Sequence, residues 1–166
     1  MPGEWVFLDT NIWVYLSTDP CDAADRRKRD IARQILSDHP NIVASTQVLN
    51  ELSNVCLKKY HLKVDQVKLC LEKIQEIAEV HLLNEASTFR ALDLFGRYGF
   101  AFYDSLIIAA ALDAGCRTLY TEDLQHAQRI GELIIENPFR ETSRLTVDIQ
   151  RPNGESWPYT KLRINF

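Results

Sequence analysis

A surplus of positive charge is the first thing missing from this chain of 166 residues. Lysine and arginine total 19 against 23 aspartates and glutamates, a formal net charge of -4. That balance speaks against a protein that coats nucleic acid with its whole surface. It leaves a local site open, because net charge says nothing about where the charges sit. Long apolar runs are missing too. The longest, Leu106 to Leu112, is far short of the ~20 residues that span a bilayer. Met1-Pro2-Gly3-Glu4 has no basic region and no long apolar segment behind it, so a secretory signal is not expected. A cytoplasmic protein without a membrane partner is the expectation. Cysteine is sparse: Cys21, Cys56, Cys70 and Cys116, with no CxxC pair. Three of them lie in apolar stretches, which predicts reduced, buried thiols rather than disulfides. His39, His61, His81 and His126 show no HxH or HExxH spacing, so a zinc site is not expected. Internal repeats and low-complexity tracts are absent as well.

What is present is 46% hydrophobic residue and 25% charge. This suits one globular domain with a real core, outside the compositions that stay disordered. Trp5-Val6-Phe7-Leu8 reads as a buried strand that stops at Asp9. A helix from near Asn11 carries Ile12, Trp13, Tyr15 and Leu16, and Asp19-Pro20 marks a loop. Arg26-Arg27-Lys28-Arg29 opens an amphipathic helix with Ile31, Ile35 and Leu36 inward, ended by His39-Pro40-Asn41. Ile42-Val43-Ala44 is a second strand, and Ser45 or Thr46 caps a helix with Val48, Leu49, Leu52, Val55 and Cys56 at helical period. A helix over about Val64 to Ala78 turns Val67, Leu71, Ile74 and Ile77 inward; Val80 to Leu83 is a small strand. Asn84 caps a helix carrying Phe89, Leu92 and Phe95, which ends near Gly99. Asp104 to Ala114 is apolar nearly all round, as a buried helix is. Thr118-Leu119-Tyr120 is a third main strand, followed by Thr121-Glu122-Asp123 and a short helix; Gly131 to Glu136 holds a last strand. Alternating strands and helices predict a mostly parallel sheet with helices on both faces. After Phe139 the pattern turns to apolar–polar alternation around Arg151-Pro152-Asn153-Gly154, a hairpin signal.

Four carboxylates hold special positions. Asp9 follows the first strand, Glu51 borders the apolar face of a helix, Asp104 begins the buried helix, and Asp123 follows the third strand by a short step. In an open parallel sheet, ligand sites form beyond the carboxyl ends of strands. Singly, each acid has a plainer reading: a helix cap for Asp104, a loop residue or cap for Asp9 and Asp123, an exposed helix residue for Glu51. Together, converging carboxylates need a counter-ion, and hard cations such as Mg²⁺ or Mn²⁺ take oxygen ligands. Such a site suits phosphodiester hydrolysis.

Leu8-Asp9-Thr10-Asn11-Ile12, Asn50-Glu51-Leu52, Tyr103-Asp104-Ser105-Leu106-Ile107 and Thr121-Glu122-Asp123-Leu124 resemble, in order and spacing, the motifs of the PIN domain. Glu122-Asp123-Leu124-Gln125-His126 and Glu136-Asn137-Pro138-Phe139 resemble its VapC-type ribonuclease toxins in particular. The likeness covers about residues 4 to 139. It implies an α/β three-layer αβα fold with a central, mostly parallel sheet over 1–139; the C-terminal extension over 140–166 has no counterpart in the family and reads as a hairpin or an interaction tail. It also implies an endoribonuclease that uses Mg²⁺ or Mn²⁺ and leaves a 5′-phosphate and a 3′-hydroxyl. By the same resemblance, Asp9 and Asp104 would be direct metal ligands. Glu51 would hold a metal-bound water or act as a base. Asp123 would bind a second metal or orient a water, with Asn11 and Thr121 in supporting positions. Glu122 reads as a further support or simply as an exposed acid. The partners implied are an RNA substrate, a cognate antitoxin and a second copy of the chain. Ala127 departs from the pattern, standing where these toxins commonly have glycine; the change is mild unless the backbone needs positive φ there.

RNA would have to approach acids, so local cations matter. Arg26, Arg27, Lys28, Arg29, Lys58 and Lys59 are the candidates, with a solvated helix face as the plainer reading. Trp13, Tyr15 and Tyr103 are candidates to stack on bases, with core packing as the alternative. A haloacid-dehalogenase-like phosphatase would want a second aspartate where Asn11 stands. A receiver domain would need an acidic pair with a distant lysine that cannot be placed. A non-catalytic PIN-like module that binds RNA or protein is the rival of another class, and it would be expected to lose acids. With the four site acids set aside, 19 acids balance 19 bases.

Overall fold

The computed structural model describes residues 3–140. The hairpin expected in the tail falls, from residue 141 onward, outside the described residues. Strand β1 (Val6–Leu8) and strand β2 (Ile42–Ser45) are buried at every position. Strands covered on both faces by helices have this continuous apolar character. Between them run helices α1 (Thr10–Ser17) and α2 (Ala23–Asp38). After β2 come α3 (Thr46–Lys58), α4 (Val64–Ile77) and β3 (Glu79–His81). Then follow α5 (Glu85–Tyr98), α6 (Phe102–Asp113) and β4 (Thr118–Tyr120). A hairpin of β5 (Arg129–Ile130) and β6 (Leu133–Glu136) completes the described residues. None of these helices is long and apolar enough to cross a membrane.

The sheet order is β3-β2-β1-β4-β6-β5. All neighbours are parallel except β5 and β6. The chain winds from β1 outward to β2 and β3, then returns to lay β4 on the other side of β1. The reversal opens a crevice beyond the carboxyl ends of β1 and β4, where doubly wound sheets bind ligands. The core is centred on Phe7, Leu8, Ile12, Leu52, Ile107, Ile108, Leu119 and Ile135, all essentially inaccessible. Trp13 is buried with them, and its Nε1 donates to the Leu8 carbonyl at 3.1 Å. Helix α6 is buried from Ser105 through Ala111, as its all-round apolar character predicts.

Several local expectations change. Helix α2 starts at Ala23, not at the basic run, because the Asp22 side chain accepts from the Asp25 N–H at 2.8 Å. Asp104 is not a helix cap: Ala101 holds that position, and Asp104 lies within the first turn of α6. Ile77 is exposed, and Ala78 takes the inward place at the end of α4. Phe89, Leu92 and Phe95 also face outward; α5 turns Ser87, Ala91 and Leu94 toward its neighbours. Small residues suit that face, since α5 packs closely on the alanine-rich α6. The cysteine thiols are free: Cys56 and Cys116 are buried, Cys70 is half-buried, Cys21 is exposed.

No short helix follows Asp123. The Ala127 N–H donates to the Ile135 carbonyl at 2.8 Å, and the Ile135 N–H donates to the Gln128 carbonyl at 2.9 Å. This pairing leads into β5, a separate short strand where the sequence predicts one strand within Gly131 to Glu136. Ile130 opposes Leu133 across a tight turn whose first residue, Gly131, has φ +60°. Ala127 itself has φ +64°. An L-residue in the left-handed region costs about 1–2 kcal/mol, while glycine gives back roughly 0.5–1 kcal/mol through the entropy of the unfolded chain. Ala127→Gly is therefore expected to raise unfolding stability by about 0.5–1 kcal/mol. It should move the urea midpoint upward with an unchanged slope, and a midpoint that stays put or falls would contradict it.

Candidate active site

Asp9 is the first residue beyond β1, and Thr121 the first beyond β4. The two strands are neighbours in register, and the Asp9 N–H donates to the Tyr120 carbonyl at 3.0 Å. The Asp9 carboxylate is therefore fixed at the switch point of the sheet. One oxygen accepts from the Thr10 N–H at 2.6 Å and the other from the Thr121 hydroxyl at 2.7 Å. Only 6% of the residue is exposed. Burial pushes its pKa up to about 7 against the pull of those two hydrogen bonds, and the charges of Glu51 and Asp123 push the same way.

The other acids are set around it by separate elements. Helix α3 brings Glu51 to the Thr10 hydroxyl, which donates to Oε2 at 2.7 Å, while Gln47 Nε2 donates to Oε1 at 2.7 Å. Gln47 and Glu51 are one helical turn apart, a spacing at which side chains meet. Asn11 Nδ2 donates to Asp123 Oδ2 at 2.9 Å and lies 3.2 Å from the Thr121 hydroxyl. The Asp123 N–H donates to that hydroxyl at 3.1 Å. Asp104 faces the group from the first turn of α6. Its pKa is raised by burial first, then by the charges of Asp123 and Glu51. The four carboxylates thus share one electrostatic neighbourhood, with Glu51 and Asp123 felt by both of the others. They do not close on a point: among the described residues no three His, Cys, Asp or Glu side chains stand in position to ligate one ion. Bringing like charges closer raises their cost further unless a cation joins them.

The donor set fits a hard cation. Every candidate ligand is oxygen, as Mg²⁺ and Mn²⁺ prefer. In addition, Asn11 Oδ1 is buried with no hydrogen-bond partner among the described residues. Such an atom normally finds a partner. Thr10, Gln47 and Tyr15 join the network without having been singled out as supports. The spacing of Gln47 and Glu51 on a helix was the available signal for one of them; Thr10 and Tyr15 carried none.

The basic residues divide. Arg26, Arg27, Lys58 and Lys59 are exposed. Arg27 donates to the Phe139 carbonyl at 3.3 Å, and Arg29 stands 3.9 Å from Asp19. Lys28 is occupied internally, 2.5 Å from Glu122 Oε2 and 2.8 Å from the Tyr15 hydroxyl. Of the three aromatic candidates, Trp13 is core, Tyr15 is bonded to Glu122 at 2.6 Å, and Tyr103 is exposed beside Asp104.

Comparison with known proteins gives one consistent picture. The PIN domain family profile matches residues 6–132. No curated protein sequence matches significantly. Among solved structures, VapBC2 from Rickettsia felis, bound to a DNA fragment from its promoter, is 25% identical. That match has a TM-score of 0.57 and covers 80% of this chain and 98% of that one. A toxin–antitoxin complex from Klebsiella pneumoniae is 22% identical with a TM-score of 0.60, covering 80% and 97%. VapC20 of Mycobacterium tuberculosis, a sarcin-ricin-loop-cleaving toxin, is 17% identical with a TM-score of 0.58, covering 71% and 91%.

Proposed function

Because the chain belongs to the PIN domain family, and because four carboxylates share one electrostatic neighbourhood at its switch point, we propose that it is a metal-dependent endoribonuclease. Its proposed role is that of the toxin in a toxin–antitoxin pair. The observation that carries the reading is the buried Asp9 coupled to Glu51 and Asp123, with Asp104 coupled to the same two. A non-catalytic binding module has no use for so costly an arrangement.

In this reading Asp9, Asp104 and Asp123 hold Mg²⁺ or Mn²⁺. The ion, when bound, supplies Lewis-acid stabilisation of phosphate charge and a more acidic water. Glu51, with both oxygens fixed by Thr10 and Gln47, accepts the proton of the attacking water. Attack on phosphorus breaks the P–O3′ bond and leaves a 5′-phosphate and a 3′-hydroxyl. Asn11 and Thr121 keep Asp123 and Asp9 from turning away. Arg26, Arg27, Lys58 and Lys59 are the exposed candidates to meet the RNA backbone. The partner is a cognate antitoxin protein, supported by the toxin–antitoxin complexes among the similar structures, and in this reading it blocks the crevice. The chain pairs with a second copy, and the exposed Phe89, Leu92 and Phe95 on α5 offer an apolar face for it.

The test uses purified protein, structured RNAs and Mn²⁺, with Asp104→Asn as control. Cleavage should appear with the metal and stop with EDTA or the substitution. Cleavage that survives either would reject the metal mechanism, and sedimentation of the same sample as a monomer would remove the proposed pairing.

A further inference from the structure

Lys28 lies in the basic run that looks made for RNA, yet its ammonium is turned inward. It reaches Glu122 Oε2 at 2.5 Å and the Tyr15 hydroxyl at 2.8 Å, and Tyr15 donates to Glu122 Oε1 at 2.6 Å. The three groups close a ring of bonds. The ammonium also sits 4.9 Å from the centroid of Tyr15 and 5.3 Å from that of Phe139, whose rings meet edge to face. The side chains of Lys28 and Glu122 are only 28% and 22% exposed. A pair pinned in this way differs from a surface ion pair, which holds its partners loosely.

The neighbour of Glu122 gives the ring its meaning. Asp123 stands on a segment with neither helix nor strand. The segment is tied to α1 twice: Asn11 holds Asp123, and Tyr15 holds Glu122. Asn11 and Tyr15 are four residues apart, so one face of α1 presents both. Adjacent carboxylates on an irregular segment repel each other. Lys28 neutralises Glu122 and draws it aside, leaving Asp123 as the acid directed to the crevice.

We infer that Lys28, Tyr15 and Glu122 form a strut that positions Asp123, so that Lys28 is a positioning residue and not an RNA contact. The inference rests on the nuclease reading for its catalytic consequence, but not for its structural one.

The experiment compares wild type with Lys28→Met, which keeps the stem against Tyr15 and Phe139, with Lys28→Arg, and with Glu122→Gln should the first fail to fold. Two readouts are taken: Mn²⁺-dependent RNA cleavage at several salt concentrations, and amide hydrogen exchange at Asp123 by NMR. Loss of such a support typically costs about 10- to 100-fold in activity. Lys28→Met is therefore expected to lower kcat at least about tenfold, leaving KM and its salt dependence unchanged. Exchange at Asp123 should accelerate while the core amides hold. Lys28→Arg should restore most of the activity. A raised KM with unchanged kcat and a shallower salt dependence would make Lys28 an RNA contact and overturn the strut. Acceleration of all amides alike would overturn it too, by showing a general stabilising role. If wild type cleaves no RNA, the nuclease reading fails, and exchange at Asp123 still decides the strut: faster locally supports it, unchanged refutes it.

Discussion

Asp9→Asn is expected to abolish metal-dependent cleavage and, in the same protein, to raise its stability above neutral pH. Both effects follow from one carboxylate. Its pKa is about 7 in the folded protein, with burial as the main cause, against an ordinary 3.8. Between those values the folded state holds a proton that the unfolded state has lost. The stability of the metal-free protein therefore falls as pH rises from about 4 to about 7, and the loss is complete above that. The full span is on the order of 4 kcal/mol. Asparagine carries no charge and keeps one partner, since Oδ1 can accept from the Thr10 N–H, while the Thr121 hydroxyl loses the acceptor it donates to, a smaller cost than the buried charge. In EDTA, thermal midpoints of wild type should decline between pH 5 and pH 8, while those of Asp9→Asn should stay nearly flat. Parallel pH profiles for the two proteins would show that Asp9 is not the costly group. Cleavage should drop by more than about 100-fold in the variant, because the ligand charge is lost.

Thr121→Val should be nearly as damaging to activity for a different reason. The hydroxyl is fully buried and serves three groups: it donates to Asp9, accepts from the Asp123 N–H, and lies within reach of Asn11 Nδ2. Valine keeps the shape and removes all three interactions. Leaving buried polar groups without partners costs about 1–3 kcal/mol apiece where no water replaces them, so a loss of roughly 3 kcal/mol in unfolding stability is expected. The Thr121 bond also lowers the Asp9 pKa. Its removal should shift the acid limb of the pH–rate profile to higher pH and reduce cleavage by about 10- to 100-fold. Thr121→Ser keeps the hydroxyl and should retain the wild-type pH profile. If the serine variant shifts as far as the valine variant, the methyl group and not the hydroxyl is what matters.

Much of this arrangement was legible in the sequence, and the rest was not for definable reasons. Trp5–Leu8 and Ile42–Ala44 stood out because strands buried on both faces read as continuous apolar runs. Asp9 and Asp123 stood out by position, Asp9 directly after β1 and Asp123 shortly after β4. The outward turn of Phe89, Leu92 and Phe95 was not legible: it depends on the close approach of α5 to an alanine-rich neighbour. The hairpin of β5 and β6 was hidden by the shortness of β5, Arg129–Ile130. The bonding of Lys28 to Glu122 joins positions 94 residues apart. No local spacing signals such a pair, and a run of four basic residues suggested an outward role instead. Ala127 departs from the glycine that the resemblance leads one to expect, and its φ of +64° is the left-handed backbone that favours glycine.

The central place of β1 has a consequence for the timing of assembly. β1 is the first strand made, yet it lies between β2 and β4, and the Asp9–Thr121 bond spans 112 residues. During synthesis β1 can pair with β2 early, but its other edge stays open until β4 has emerged from the ribosome. Contacts so distant along the chain close late in folding, and domains complete as units once their last elements are free. The crevice with its four acids cannot form on a nascent chain that lacks Thr121 and Asp123. A site built on β1 and β4 in this way is complete only once most of the domain has been translated.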